Sequence, residues 1–350
     1  MGFHWSDWPE EVLAELRRGC VIPASPLALT PKREYDPVRQ KALARYYIDA
    51  GAGGIAIGVH TTQFEIRDVG LYEPVLTTAA EAMENWTDKP IVRVAGLVGK
   101  TAQAKAEADI AAGLGYHAGL LSLAAYKGSG EEEILEHCRV VADVMPLIGF
   151  YLQSSVGGVL LSTEFWRQFA EIDNVVAIKM APFNRYHTLD VIRGIALANA
   201  EDRISLYTGN DDNIVMDLIT PYEIMRGDEK VSLKFAGGLL GHWSVWVEGA
   251  VEVFRKCKEE PLSSEHLVLN GQVTDCNAAF FDIANDFAGC IAGVHEVLRR
   301  QGLLDGIWCL NPEETLSPGQ LAEIDRVYHE YPELNDDAFV ADNLNRWLSE

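Results

Sequence analysis

Asn174-Val175-Val176-Ala177-Ile178-Lys179-Met180 is a β-branched apolar run that carries one ammonium near its end. Such a run is the pattern of a strand covered on both faces. With the strand starting near Val175, alternation puts Val176, Ile178 and Met180 on one face and Ala177 and Lys179 on the other. The lysine therefore shares its side with a small residue. It is either a structural charge held by a partner or an amine that desolvation pushes toward its neutral, nucleophilic form. The preceding run, Leu147-Ile148-Gly149-Phe150-Tyr151-Leu152, alternates in the same way, with Ile148, Phe150 and Leu152 on one face and Gly149 and Tyr151 on the other. Aligning the small-residue faces of the two strands predicts that the Tyr151 phenol and the Lys179 amine sit side by side near the C-terminal ends.

Outward from this pair, short apolar runs recur at a nearly regular step. They begin near Val21, Gly54, Ile91, Ala118, Leu147, Val175 and Ile204, with an eighth between Leu233 and Val245. Most of the gaps hold a helix pattern. Ser129 with Glu132 predicts a capping box ahead of Ile134, Leu135, Cys138 and Val141. Ser162 predicts an N-cap for a helix whose Phe165, Phe169 and Ile172 share a face. Strand and helix alternating about eight times is the pattern of a parallel (β/α)8 TIM barrel, with an open doubly wound sheet as the alternative. From about Val247 only helical patterns remain, one of them begun by Ser317, Pro318 and Gln320 ahead of Leu321, Ile324 and Val327. The expected division is a barrel with an N-terminal helix over residues 1–246, then the last barrel helix and a C-terminal helical extension over 247–350.

A chain of 350 residues, 48% hydrophobic, has ample material for a large core. A net charge of -23 opposes binding to nucleic acid or to an anionic membrane, because a polyanion is repelled by such a surface. No run approaches 18 uninterrupted apolar residues, so no membrane span is expected. Met1-Gly2-Phe3-His4-Trp5-Ser6 fits a loose myristoylation pattern, but Asp7, Glu10 and Glu11 follow where a basic second signal belongs. The basic and apolar regions of a secretory signal are also missing. The six cysteines contain no C-x-x-C pair, which suggests neither a zinc site nor a disulfide framework. The expectation is a cytoplasmic protein.

In such a barrel the chemistry belongs at the C-terminal ends of the strands. There the chain resembles the dihydrodipicolinate synthase and N-acetylneuraminate lyase family of Schiff-base barrels. Ala28-Leu29-Thr30-Pro31 resembles the family's A-x-T-P, and Val94-Ala95-Gly96 its V/I-A-G. Tyr126 follows the fourth strand where the family has a tyrosine. Tyr151 is similar to the tyrosine of Y-N-x-P and Lys179 to the lysine of G-I-K. Gly209, in Thr208-Gly209-Asn210-Asp211-Asp212, resembles the S-G-D/N-D segment, and Gly241-His242-Trp243-Ser244-Val245 the G-x-I-S of the eighth strand. The resemblance implies that Lys179 condenses with the keto group of a 2-keto acid such as pyruvate or a sugar acid. It implies that Tyr151 relays protons, that Tyr126 reaches a neighbouring subunit's site, and that the chain is a homotetramer or homodimer. Bottom-up chemistry agrees, since a desolvated lysine makes an imine that withdraws electrons from the adjacent carbon.

The departures are as informative. Where the family binds the carboxylate with G-T/S-T/S-G-E, this chain has Gly58-Val59-His60-Thr61-Thr62-Gln63. Only a two-residue shift lets Thr61 and Thr62 stand in for the hydroxyls, with His60 nearby. The arginine that synthases place five residues after the tyrosine is Val156, which removes a bidentate carboxylate anchor. Trp243 stands where the family has a small or aliphatic residue, which predicts a bulkier pocket floor. A lyase or synthase acting on a 2-keto acid other than the synthase substrate is favoured, and the alternative is a catalytically lapsed barrel that binds a small molecule. A phosphate-binding barrel isomerase with its anion at Gly209 and Gly237 to Gly238 is a third reading.

Other candidates have plainer readings. His60 is either a hydrogen-bond partner of substrate or a satisfied loop histidine, and His242 is structural. Arg93 is an ion-paired residue below the site if its face is the barrel interior. Arg185 is a loop arginine that would otherwise replace the carboxylate anchor. Lys234 rivals Lys179 only if the eighth strand starts early. Gly51 to Ala56 fits G-x-G-x-x-A but precedes a strand, the wrong context for a dinucleotide site. Asp211-Asp212 and Glu131 to Glu133 lack the spacing and histidines of a metal site. Neither a metal nor a cofactor is expected.

Overall fold

Apolar runs and helical segments alternate as strands and helices from Val21 to Ile219. The structure is a computed structural model and describes residues 2–154 and 157–349. Its strands are β1 (Val21–Pro23), β2 (Gly54–Ile57), β3 (Val92–Leu97), β4 (Ala118–Leu121), β5 (Leu147–Leu152), β6 (Val175–Ala181) and β7 (Ser205–Thr208). A hairpin, β8 (Tyr222–Arg226) and β9 (Glu229–Leu233), and a last strand, β10 (Phe235–Leu240), follow. Helices α1 (Glu10–Arg18), α2 (Pro37–Asp49), α3 (Tyr72–Trp86), α4 (Thr101–Gly113), α5 (Glu131–Ala142), α6 (Thr163–Ala170), α7 (Arg185–Leu197), α8 (Ile214–Ile219) and α9 (Val247–Glu259) precede or connect the strands or follow the last. Four more, α10 (Ser264–Phe280), α11 (Cys290–Arg300), α12 (Gln320–Glu330) and α13 (Asp337–Trp347), form the extension.

The eight long-range strands are parallel, in the order β1-β10-β7-β6-β5-β4-β3-β2. A parallel bridge between Ala24 and Ala56 joins the two ends and closes the sheet. The protein is a TIM barrel with a C-terminal helical extension, and the open doubly wound sheet is excluded. Ile22, Ala56, Val94, Leu120, Ile148 and Phe150 belong to the inner core, which Trp8 and, from α1, Val12 and Leu16 plug from the N-terminal end. The alternate positions, such as Ile55, Leu121, Ile178 and Met180, join the layer between strands and helices. Each large apolar side chain so buried contributes about 1.5–3 kcal/mol.

One local expectation needs correction, the cap of α5. The hairpin is not legible as such; its Gly227-Asp228 turn lets exposed and half-buried residues alternate, and β10 starts only at Phe235. Lys234 therefore sits before the strand, at the end of the barrel away from the lysine. Ser129 does not cap α5, whose N-cap is Gly130 without a side-chain bond. Ser162 does cap α6, its oxygen accepting from the Phe165 amide at 3.1 Å.

Candidate active site

At the C-terminal ends of the strands lies a cavity of about 700 Å³, counting its open mouth. Lys179, His60, Thr61, Asp211, Gln153 and Cys290 are its polar side chains among the described residues. Lys179 lies on the inner face of β6, only 8% exposed, with its ammonium nitrogen 4.7 Å from the centre of the Phe150 ring. Its stem fits because Gly209 directly follows β7. A Cβ there would lie 2.5 Å from Lys179 Cε and 2.9 Å from the Ala181 Cβ. Burial lowers the lysine to a pKa of about 8, and the charge of Asp211 acts in the opposite sense. The amine makes no salt bridge among the described residues, so a large share of it is neutral near pH 8.

Asp211 is placed by the loop after β7. Its Oδ1 accepts from the His242 amide at 2.8 Å, and burial raises its pKa to about 7 against the pull of that bond and of Lys179. The loop is pinned by buried Asp217, which accepts from Thr208 Oγ1, Asn210 Nδ2 and Asn213 Nδ2 at 2.7–2.8 Å. Asn210 Oδ1 in turn accepts from the Phe183 amide at 3.0 Å, tying the loops after β6 and β7 together.

The loop after β2 presents His60 and Thr61. Arg67 holds it, forking onto buried Glu107 with two 2.9 Å bonds while donating to the Gly58 and Gly96 carbonyls. His60 is an exposed side chain bordering the cavity, and partial loss of solvation with the Lys179 charge lowers its pKa. Thr61 lines the cavity, but its hydroxyl donates to the Ala24 carbonyl at 2.7 Å. Thr62 does not line it. Its hydroxyl donates to the Ser25 carbonyl at 2.7 Å and accepts from the Gly58 amide at 3.0 Å, so it is a fastener of the loop.

Two further expectations are corrected, those for Tyr151 and Trp243. Tyr151 is not beside Lys179: Phe150 is, paired with Lys179 across β5 and β6, while Tyr151 pairs with Met180 and faces the helices. Its hydroxyl meets the Leu161 backbone at 3.3–3.4 Å and its ring lies 5.1 Å from Trp166. The small-residue argument fails because Gly149 is small for another reason. A Cβ there would lie 2.6 Å from the Phe169 ring of α6, so the glycine admits a helix side chain on the outer face. Tyr126 lies off this cavity, bonded to Thr101 Oγ1 at 2.8 Å and 4.4 Å from the His137 ring; its expected reach is into a neighbouring subunit's site, not this one. Trp243 is no pocket floor; it packs over Gly238 on the outer face and against Phe254 of α9. Arg185 is engaged by Asp217 at 3.2 Å, and Arg93 stands on the outer face with Ala95. Val156 lies outside the described residues.

A model of the dihydrodipicolinate synthetase family matches residues 20–221, the segment from the eve of β1 to the eve of β8. The chain belongs to this family. Over 297 residues it is 22% identical to N-acetylneuraminate lyase 2 of Escherichia coli O6:H1, covering 83% of this chain and 87% of that one. Its fold is that of CdNal from Clostridium difficile, solved with mannosamine, at 16% identity and a TM-score of 0.73 over 89% of this chain and 99% of that one. It is equally that of the dihydrodipicolinate synthase of Acinetobacter baumannii complexed with pyruvate, at 19% identity and a TM-score of 0.72 over 90% and 99%. At the level of the family the activity is that of a lyase.

Within this dihydrodipicolinate synthetase family member, the structure adds cavity residues that sequence reasoning missed. Phe150 was legible only through strand register, and Asp211 only by asking which member of the Thr208 to Asp212 turn points inward. Phe281, Phe287 and Cys290 come from the extension, beyond the matched segment, and no local pattern marks them. Among the described residues no group of three or more His, Cys, Asp or Glu is arranged to hold a metal ion, and no helix is long and apolar enough to cross a membrane.

Proposed function

We propose that the protein is a lyase or synthase in which Lys179 forms an imine with the keto group of a 2-keto acid, and that a C–C bond is then made or broken, or water eliminated, beside it. The observation that carries this reading is a buried lysine without a salt bridge among the described residues, lowered to about 8, at the bottom of the cavity where a TIM barrel does its chemistry. The neutral amine adds to the keto carbon, and water leaves as the iminium forms. The iminium takes the electron pair of the bond being broken at the adjacent carbon, which becomes an enamine; for cleavage, a base takes the proton of the departing hydroxyl-bearing carbon's OH. Protonation of the enamine and hydrolysis return the amine.

With Tyr151 on the outer face, the proton work falls to Asp211 and His60, which line the cavity with Lys179, while burial keeps the Cys290 thiol protonated. A carboxyl raised to about 7 is matched to both giving and taking a proton near neutrality. The carboxylate of the substrate is assigned to the Thr61 side of the cavity, with His60 beside it. No cofactor enters this reading, because the imine is itself the electron sink, and a homodimer or homotetramer is proposed from the family resemblance. The pyruvate of the Acinetobacter relative supports the substrate class. Borohydride reduction with pyruvate and a panel of 2-keto-3-deoxy sugar acids is expected to leave a mass adduct on Lys179. Folded protein with no adduct across a broad panel would leave the catalytically lapsed binding barrel as the better reading.

A further inference from the structure

We propose that the portion of the substrate beyond the 2-keto acid is apolar, and that it is an aromatic ring held by Phe183, Phe281 and Phe287 at the mouth of the cavity. The proposal rests on the preceding reading only in taking the Lys179 end as the reactive one. Three observations carry it.

The first is the balance of the lining. Among the described residues, Phe150, Leu152, Leu120 and the three phenylalanines of the mouth surround the space above the lysine. Lys179, His60 and Thr61 are committed to the keto acid in that reading, which leaves Asp211, Gln153 and the Cys290 thiol for any hydroxyls. One Asp211 oxygen already accepts from the His242 amide. A polyhydroxylated chain in that space would trade water for carbon at most of its hydroxyls, which is unfavourable for each one left unpaired.

The second is that the aromatic mouth is built in. Gly241 has no Cβ where one would stand 2.7 Å from Phe281 Cζ, so the chain leaves room for that ring. The Phe183 and Phe287 rings meet edge to face, 6.3 Å between centres, across two different loops. Such pairs present both an edge and a face to a third ring.

The third is that both loops hold a costly backbone to do so. Phe183 and Phe287 have φ of +50° and +68°, where bulky residues rarely stand. Each is held by specific bonds: Phe183 by Asn210, and Phe287 by the Asp282 carbonyl at 3.1 Å. Buried Asp282 also takes the Gly289 amide at 2.9 Å, and Gln320 donates to the Gly289 carbonyl at 3.0 Å. Strain kept in place by such fastening marks functional positions.

The test uses probes without a reactive carbonyl, so that it does not depend on imine formation. Titration calorimetry of the full chain compares 4-phenylbutanoate with gluconate, and borohydride trapping with pyruvate is run on the same preparation. The expected result is that phenylbutanoate binds at least tenfold more tightly than gluconate. Phe287→Ala is expected to weaken it about tenfold and Phe287→Leu by less than about threefold, with gluconate unmoved in both. Gluconate binding as tightly as phenylbutanoate, no phenylbutanoate binding into the millimolar range, or a Phe287→Ala chain that unfolds like the parent and binds phenylbutanoate equally well would overturn the proposal. If Phe287→Ala does not fold, Phe183→Ala replaces it under the same criteria. Aryl preference without pyruvate trapping would sink the lysine reading and leave the aromatic mouth standing, and trapping without aryl preference would do the reverse.

Discussion

The two faces of the β5–β6 ribbon carry the same kinds of side chain to opposite ends. Inside, Phe150 lies against Lys179 at the bottom of a cavity; outside, one residue along, Tyr151 lies against Trp166 under the helices. A phenol and a phenyl ring have exchanged the places that composition suggests. The difference teaches that side-chain size is a poor guide to the face of a strand when both faces are covered. A glycine marks a close neighbour, and that neighbour is as often a helix as a substrate. In the proposed mechanism it also moves the proton chemistry from a tyrosine to a carboxyl.

The comparison is broken most directly at the inner face. Lys179→Ala is expected to abolish borohydride trapping and to reduce turnover to background, and Lys179→Arg to do the same because a guanidinium stays charged. In the parent the trapping rate is expected to rise about tenfold between pH 7 and 9 and then level, as an amine lowered to about 8 loses its proton. A rate still climbing tenfold per unit beyond pH 9 would show an ordinary lysine.

Asp211→Asn comes next, with an expected loss of about a hundredfold to ten-thousandfold in kcat. Its stability should move the other way. The Asp211 carboxyl is raised to about 7 in the fold and is ordinary when unfolded, so the folded state binds the extra proton between about pH 4 and pH 7. Stability contributed by that proton is present below the unfolded value and lost as the pH climbs through 7. The asparagine chain, which can still accept from His242, should therefore melt higher than the parent at pH 8 and converge with it below about pH 4. Equal melting curves at pH 8 would deny the buried charge.

Gly209→Ala asks whether the lysine stem is as confined as it stands. The new methyl would meet Lys179 Cε, and overpacking of this kind typically costs about 1–3 kcal/mol. Trapping should slow along with the loss of stability, and an unchanged trapping rate would mean that the stem has room to spare. The smallest effect is expected at Tyr151→Phe. Removing two long hydrogen bonds to Leu161 should cost no more than about 0.5–1.5 kcal/mol and change kcat/KM by less than about threefold. A loss of a hundredfold would return the tyrosine to the mechanism and overturn the assignment of the two faces.

The barrel is legible in the chain because its signal is redundant. Runs beginning at Val21, Gly54, Ala118, Leu147 and Val175 are each the first residue of a strand, and helices between them repeat the same arithmetic. Lys179, Gly209, His60 and Thr61 are legible because they end strands or follow them, where the fold concentrates chemistry. Tyr151 is misread because its face depends on register with β6, where pairing skips Val176 between Leu147 with Val175 and Ile148 with Ala177. A bulge of one residue leaves no mark in a β-branched run. Phe281 and Phe287 are illegible for a different reason: their place is set by tertiary fastening through Asp282 and Gln320, not by a periodic pattern.

One bond links these two kinds of region. Gln63, at φ +67° just past Thr62, accepts through Oε1 from the Leu310 amide at 2.6 Å, across 247 positions of chain. As the protein leaves the ribosome, all eight barrel strands are available before Leu310 is made. The scaffold can close first, while the segment carrying His60 and Thr61 waits for its last backbone partner. Order of synthesis thus separates the making of the barrel strands from the completion of the loop at its reactive end, and a nascent chain arrested short of Leu310 would lack that bond.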